Sequence, residues 1–326
     1  MKIAIHSNQF DGRGTGKVPY DYGCALRDFF NYDVVYITSK NKNNYGLERI
    51  NKEFNTFLYE PSTNPIDKKT QIEDIILKEN IDFIYMIKSG ENDYITPENC
   101  KSGIHCVFTM TQPHGNTYAG VSKWLANYFG KNEYVPHIIK NCKPTENFRK
   151  KLGISEDYLV VGRHGGMGTF NIPFVKQAII DILKHRDDLY FLFLSTEKFI
   201  EHERVKFIPW ISSEQEIFNF INACDIMLHA RMDGETFGLS IGEFSVANKP
   251  VLTWSGLNNG VEVIGYNKCH LDILNDKALI YNDYQDLLDI LFSIDKSFIN
   301  EHNWDKYSVE FSPENVIKQF KSVFLI

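Results

Sequence analysis

Asp225-Ile226-Met227-Leu228-His229 leads through a short gap into Asp233-Gly234-Glu235-Thr236-Phe237-Gly238-Leu239-Ser240-Ile241-Gly242-Glu243-Phe244, and Asn248-Lys249-Pro250-Val251-Leu252 follows. The first run reads as a buried strand. Residues from about Leu239 to Ala247 fit a short helix, which Asn248 and Pro250 stop before the next strand begins. Outward from this strand–loop–helix–strand unit the same alternation recurs. Apolar runs lie at 158–162, 189–194, 205–208, 225–229, 250–254 and 278–281. An earlier series lies at 3–7, 33–39, 56–60, 82–88 and 105–111, with helical spacing between runs, as in Ile72, Ile75 and Ile76. Strands alternating with helices predict parallel sheets covered on both faces, and here the pattern occurs twice.

At 326 residues the chain is long enough for two such domains, given ~100–200 residues each. Hydrophobic residues at 43% and charged residues at 24% exclude a disordered or collagen-like chain. The longest apolar runs, such as Tyr190–Leu194, fall far below the ~18–20 residues of a membrane-spanning helix. Met1 leads directly into the strand-like Lys2–His6, so a cytoplasmic protein without a signal peptide is expected. The six cysteines form no C-x-x-C pair and read as free thiols. Residues 1–150 carry 19 basic and 17 acidic side chains, whereas the rest carry 16 and 25. Nucleic acid is therefore not an expected partner, and an anionic ligand has to be held by helix N-termini and a few placed cations.

Each half opens with a strand and a glycine-rich turn: Gly12-Arg13-Gly14-Thr15-Gly16 in the first, Gly162-Arg163-His164-Gly165-Gly166-Met167-Gly168 in the second. The first satisfies neither familiar nucleotide signature. Asp11 and Val18 stand where a phosphate-binding P-loop needs Gly and Ser or Thr, and the third glycine comes one residue early for a dinucleotide fold. Two readings remain, a turn lying against a ligand and a merely tight strand–helix connection. Residues 140–151 hold Lys140, Lys143, Arg149, Lys150 and Lys151 with Pro144, and read as a linker with solvated charge. Ser312-Pro313-Glu314 starts a last helix with Val316, Phe320 and Val323 on one face. Trp124, Leu125, Tyr128 and Phe129 read as a core stripe before an interfacial one.

In the loop 233–239, backbone N–H groups of Phe237, Gly238 and Leu239 would point out of a helix start and suit a diphosphate. Glu235 sits beside them and Glu243 about a turn further on, both suited to bind hydroxyls. The competing reading makes Glu235 a helix N-terminal acid and Glu243 an ordinary solvated side chain.

Glu235-x-Phe237-Gly238-Leu239-x-x-x-Glu243, with its flanking strands, resembles the E-x(7)-E signature of retaining GT-B glycosyltransferases of the glycosyl transferases group 1 (family 4-like) type. Val160-Val161-Gly162-Arg163 resembles the start of that family's second domain, Ala223-Cys224-Asp225-Ile226 its A-x-D strand, and Asn303-Trp304-Asp305 its W-[DE] step. In the first half Thr111-Gln112-Pro113-His114-Gly115 looks like the family's loop histidine, and Val121-Ser122-Lys123 like its x-S-x.

The resemblance implies an α/β protein of two Rossmann-like domains facing a cleft: residues 1–140 on the acceptor side, 141–305 binding the nucleotide sugar, and 306–326 a terminal helix packing back on the first domain. It implies a transferase that moves a sugar from a nucleotide diphosphate donor to a glycan or other small acceptor, in glycan biosynthesis, with retention of configuration. The expected catalytic residues are Glu235 near the reacting carbon, His114 facing the sugar and Arg163 on the phosphates. Glu243 would hold the ribose, and the N–H groups of Phe237, Gly238 and Leu239 the diphosphate. Gly14 and Gly16 would approach the phosphates from the first domain, and Trp210 would stack on the base or, alternatively, lie in the core. Neither a resident cofactor nor a metal is expected, since no D-x-D motif is present.

The pattern is broken once. Relatives carry a lysine a few residues after the arginine, whereas Met167-Gly168-Thr169-Phe170-Asn171 supplies none, and Arg231 is the candidate replacement. A silent sugar- or partner-binding module, and an epimerase or phosphorylase on the same fold, are the competing functions.

Overall fold

Six parallel strands make the first sheet: β1 (Lys2–His6), β2 (Asp33–Ser39), β3 (Asn55–Tyr59), β4 (Phe83–Lys88), β5 (Lys101–Cys106) and β6 (Thr117–Gly120), in the order β3-β2-β1-β4-β5-β6. The computed structural model describes every residue except Gly12, Arg13, Lys42, Asn43, Asn259 and Ile326. The chain divides into two units, Met1–Ile138 with Glu310–Ile326, and Ile139–Val309. In the first unit the central β1 is buried on both faces, with Ile3 beside Val34 on one side and Phe83 on the other. This explains its continuous apolar run.

The strand expected at 105–111 lies earlier, at Lys101–Cys106. Beyond Cys106 the chain turns off the sheet, the N–H of Val107 bonding to the Lys88 carbonyl and those of Phe108 and Thr109 to that of Ser89. Phe108 is exposed. Apolar content misplaced this strand, since the observed Lys-Ser-Gly-Ile-His-Cys is largely polar. The aromatic stripe also divides: Leu125 is buried, but Tyr128 is exposed and stacks on Trp124.

The C-terminal helix Pro313–Phe324 begins at Ser312, whose hydroxyl accepts from the Asn315 N–H. It buries Val316, Ile317, Phe320 and Phe324 in the first unit, where Phe320 and Phe324 pack edge-on against Tyr85. Phe324 takes the place expected for Val323. Beneath this contact, His105 accepts the Tyr85 hydroxyl proton at Nδ1 (2.5 Å) and donates from Nε2 to the Val135 carbonyl (2.8 Å), as a neutral ring can.

The second sheet repeats the arrangement with β7 (Leu159–Arg163), β8 (Leu189–Leu194), β9 (Val205–Ile208), β10 (Ile226–His229), β11 (Val251–Trp254) and β12 (Ala278–Tyr281), ordered β12-β11-β10-β7-β8-β9. Every pairing is parallel, and the register sets His229 of β10 beside Thr253 of β11. Leu159, Val161, Ile179, Phe191, Phe193 and Leu252 lie in one core cluster. Arg149, read as solvated linker charge, is instead buried: Nε donates to the Ala223 carbonyl (2.8 Å) and an Nη lies 2.7 Å from Asp225. Among the described residues no helix is long and apolar enough to cross a membrane.

Burial holds His105 at about 4 and, with Lys88 nearby, His6 at about 3. The unfolded chain takes up these protons near pH 6.5, and the native state does not. Stability is therefore complete above pH 6.5 and falls below it, by about 1.4 kcal/mol per pH unit for each such ring until the folded value is reached. The urea midpoint of the whole chain is expected to drop between pH 6.5 and 5, less steeply in His105→Gln. A midpoint unchanged over that interval would refute this.

Candidate active site

In a doubly wound parallel sheet, ligands bind beyond the carboxyl ends of the strands, where the strand order reverses. In the second unit that point lies between β7, ending at Arg163, and β10, ending at His229. The loop leaving β10 carries the pair Gly234-Glu235, which adds in parallel to Asn267-Lys268. It then reaches Gly238, whose φ of 90° lies in the left-handed region that glycine adopts without penalty. The helix Leu239–Val246 starts there, and its first N–H groups have no intrahelical acceptor. The Phe237 side chain is core, edge-on to Tyr307, whose hydroxyl donates to the Phe237 carbonyl (3.4 Å).

Glu235 has both carboxylate oxygens engaged. Oε1 lies 3.3 Å from His229 Nε2, and Oε2 accepts from Arg231 Nη1 at 2.9 Å. Burial pushes this carboxyl up, but the His229 hydrogen bond and the nearby Arg231 outweigh it and hold the group at about 2. Glu235 is thus an ionised hydrogen-bond acceptor. Arg231, expected to replace the missing lysine, is paired with this acid, and its Nε lies 3.8 Å from Asp233.

Glu243 is 3% exposed, which overturns the solvated reading, and its Oε2 lies 2.9 Å from His164 Nε2. The His164 ring stacks on Phe244. Arg163 departs from expectation most. Its guanidinium is buried, with Nη1 donating to the Ser195 carbonyl (3.0 Å) and the Thr196 hydroxyl (2.7 Å), and Nη2 to the Gly166 carbonyl (2.7 Å) and the Thr169 hydroxyl (2.6 Å). Desolvation lowers its pKa to about 10. Both terminal nitrogens are committed to the loops after β7 and β8, so in this structure Arg163 ties those loops together. Trp210 follows β9 and is 46% exposed, which excludes the core alternative.

In the first unit Gly14 opens the helix Gly14–Phe30. Gly16 is required by packing, since a Cβ there would lie 1.8 Å from the Asp11 carbonyl oxygen. That close approach matches the tight-connection reading, while Gly12 and Arg13 of the same turn lie outside the described residues. His114 donates from Nδ1 to the Gln112 carbonyl at 2.7 Å, and burial lowers its pKa. Its Nε2 is therefore an acceptor, and it is buried without a hydrogen bond.

No family model matches the sequence, and no curated protein matches it. Solved structures do. HepE of Anabaena, in complex with UDP-glucose, superposes with a TM-score of 0.73 at 13% identity, over 99% of this chain and 98% of its own. A glycosyltransferase from Rickettsia africae ESF-5 gives 0.67 at 13% identity over 99% and 94%, and WaaG, a glycosyltransferase involved in lipopolysaccharide biosynthesis, 0.66 at 12% over 99% of both chains. This chain has the GT-B fold. Its two sheets are the two Rossmann-like halves of GT-B, whose second half carries Glu235 and Glu243.

Sequence reading missed His164, His229, Thr253 and His270. A usable signal existed for His229 and His164, because each ends or follows a strand at the switch point of this GT-B half. If Arg163 is a loop tie, Arg163→Ala leaves buried carbonyls and hydroxyls without their donor and lowers stability by about 2–4 kcal/mol. Calorimetric melting of the variant tests this, and an unchanged Tm would return Arg163 to the role of an available anion binder.

Proposed function

We propose that this GT-B protein transfers a sugar from a nucleotide diphosphate donor to a small acceptor, with the donor held by the second unit. The observation that carries the reading is an ionised, doubly held Glu235 at the switch point, next to the start of the helix Leu239–Val246. The carboxylate can accept hydroxyl protons from a sugar and support positive charge as the bond from the anomeric carbon to the diphosphate breaks. The helix start can receive the negative charge that develops on the leaving diphosphate. Glu243 would meet the ribose by exchanging its His164 contact for hydroxyls, Trp210 would stack on the base, and the acceptor nitrogen of His114 would take a sugar hydroxyl proton. Arg231 would supply the cation that the usual lysine provides. Neither a metal nor a resident cofactor takes part in this scheme, and configuration is retained.

UDP-glucose is the first donor to test, because HepE, of the same fold, was solved with it. Release of free UDP is the readout, with ADP- and GDP-glucose as parallel donors. Glu235→Gln keeps shape and loses charge, and is expected to lower kcat about a hundredfold with a small change in KM. Glu243→Gln is expected mainly to raise KM, about tenfold, as loss of a contact made equally in ground and transition states does. Comparable activity in both variants and the parent would remove Glu235 and Glu243 from the chemistry. Absence of donor turnover, with nucleotide binding retained, would favour the silent binding module.

The steric course is checked by NMR of the product, which is expected to keep the donor's anomeric configuration, and activity is expected to survive EDTA. An inverted product, or activity lost to EDTA and restored by a divalent ion, would overturn the respective statement.

A further inference from the structure

Behind Glu235 lies a buried polar chain that the proposed chemistry does not yet use. His229 Nδ1 lies 2.9 Å from Thr253 Oγ1, which lies 3.2 Å from His270 Nε2. Both histidines are at most 5% exposed, and their ring centroids are 5.0 Å apart. The Tyr266 hydroxyl is 3.4 Å from the same His270 nitrogen and donates its proton to the Trp254 carbonyl at 2.7 Å.

The direction of each hydrogen bond follows from the ends of the chain. Glu235, being ionised, only accepts, so His229 Nε2 carries a proton and donates it. At the far end, Tyr266 has already given its proton to Trp254 and can only accept from His270. His270 Nδ1 finds no acceptor within hydrogen-bonding geometry, and the Asn267 carbonyl is the weakest of the influences on this ring. Burial and the neighbouring His229 keep this ring neutral, with one N–H. That N–H therefore sits on Nε2, where Thr253 and Tyr266 can both receive it. Thr253, accepting from His270, has its own proton free to donate, and His229 Nδ1 is the atom it faces. The order is His270 Nε2–H to Thr253 Oγ1–H to His229 Nδ1, and His229 Nε2–H to Glu235 Oε1.

We propose that His229 is the positioning residue for Glu235, its tautomer and ring orientation set from behind by Thr253 and His270. This rests on the reading that Glu235 meets the transferred sugar. With His229 on Oε1 and Arg231 on Oε2, the carboxylate plane is fixed from two directions. The strand register makes the arrangement possible, because His229 and Thr253 are lateral neighbours on β10 and β11.

The test has an arm that needs no turnover. Long-range 15N–1H spectra of the imidazoles in the whole protein at neutral pH are expected to show His229 and His270 both protonated at Nε2, with the His229 pattern changed in Thr253→Val and restored in Thr253→Ser. With UDP-glucose as substrate, Thr253→Val is expected to lower kcat about tenfold while KM stays within about twofold. Thr253→Ser is expected to recover it. His229→Gln, which can place an N–H where Nε2 was, is expected to keep more kcat than His229→Asn, which cannot. A His229 ring protonated at Nδ1 alone, or Thr253→Val with parental kcat, overturns the proposal. If the parent protein turns over no nucleotide sugar, the proposed function fails on that ground, and the spectra still decide whether the relay exists.

Discussion

A parallel strand has to be entered from the same end as its neighbour, so every strand of both sheets delivers its carboxyl end to one edge. In the second unit this constraint puts Arg163 and His229 on adjacent strands at the point where the order reverses. The loops that leave this edge lie outside the six-stranded sheet and have to satisfy their polar groups by other means. Arg163 does this for the loops after β7 and β8. The short pairing of Gly234-Glu235 with Asn267-Lys268 does it for the loop after β10. Glu235 therefore sits on a fixed piece of backbone, as the role proposed for it requires.

The donor proposed for this edge is an anion, although this half of the chain is net acidic. The arginines at this edge are already engaged, Arg231 with Glu235 and Arg163 with neutral oxygens. A field of surplus positive charge is not what this unit offers. What it offers is directional, namely the start of the helix Leu239–Val246 opened by Gly238. Hydrogen-bond donors fixed in place act on charge where it develops, and they need no reorganisation when it does.

Much of this was legible in the sequence, for identifiable reasons. Continuous apolar runs reveal strands buried on both faces, and so ten of the twelve strands of the two six-stranded sheets could be located closely from apolar runs alone. The exceptions were the polar Lys101–Cys106, displaced by the apolar run that follows it, and Thr117–Gly120. The loop with Glu235 and Glu243 was legible because its spacing is local. Illegible were the partners. Arg163 is held by Ser195 and Thr196, about thirty residues away, and His229 by Thr253, itself in contact with His270 on a later element. A histidine ending an apolar strand looks like any core side chain until the register places a hydroxyl beside it. Arg149 failed for the same reason, since its acid is set across from it only by the fold.

Two acids eight positions apart, each facing an imidazole, form the centre of the second unit. Glu235 faces His229 from the end of β10, and Glu243 faces His164 from just beyond β7. The two strands are hydrogen-bonded neighbours, so the pairs lie at one switch point although their residues come from four segments. In the proposed function the His164 contact of Glu243 gives way to a ribose, whereas the His229 contact of Glu235 is backed by Thr253 and His270. The difference between the two acids thus resides less in the glutamates than in what stands behind the histidines they face.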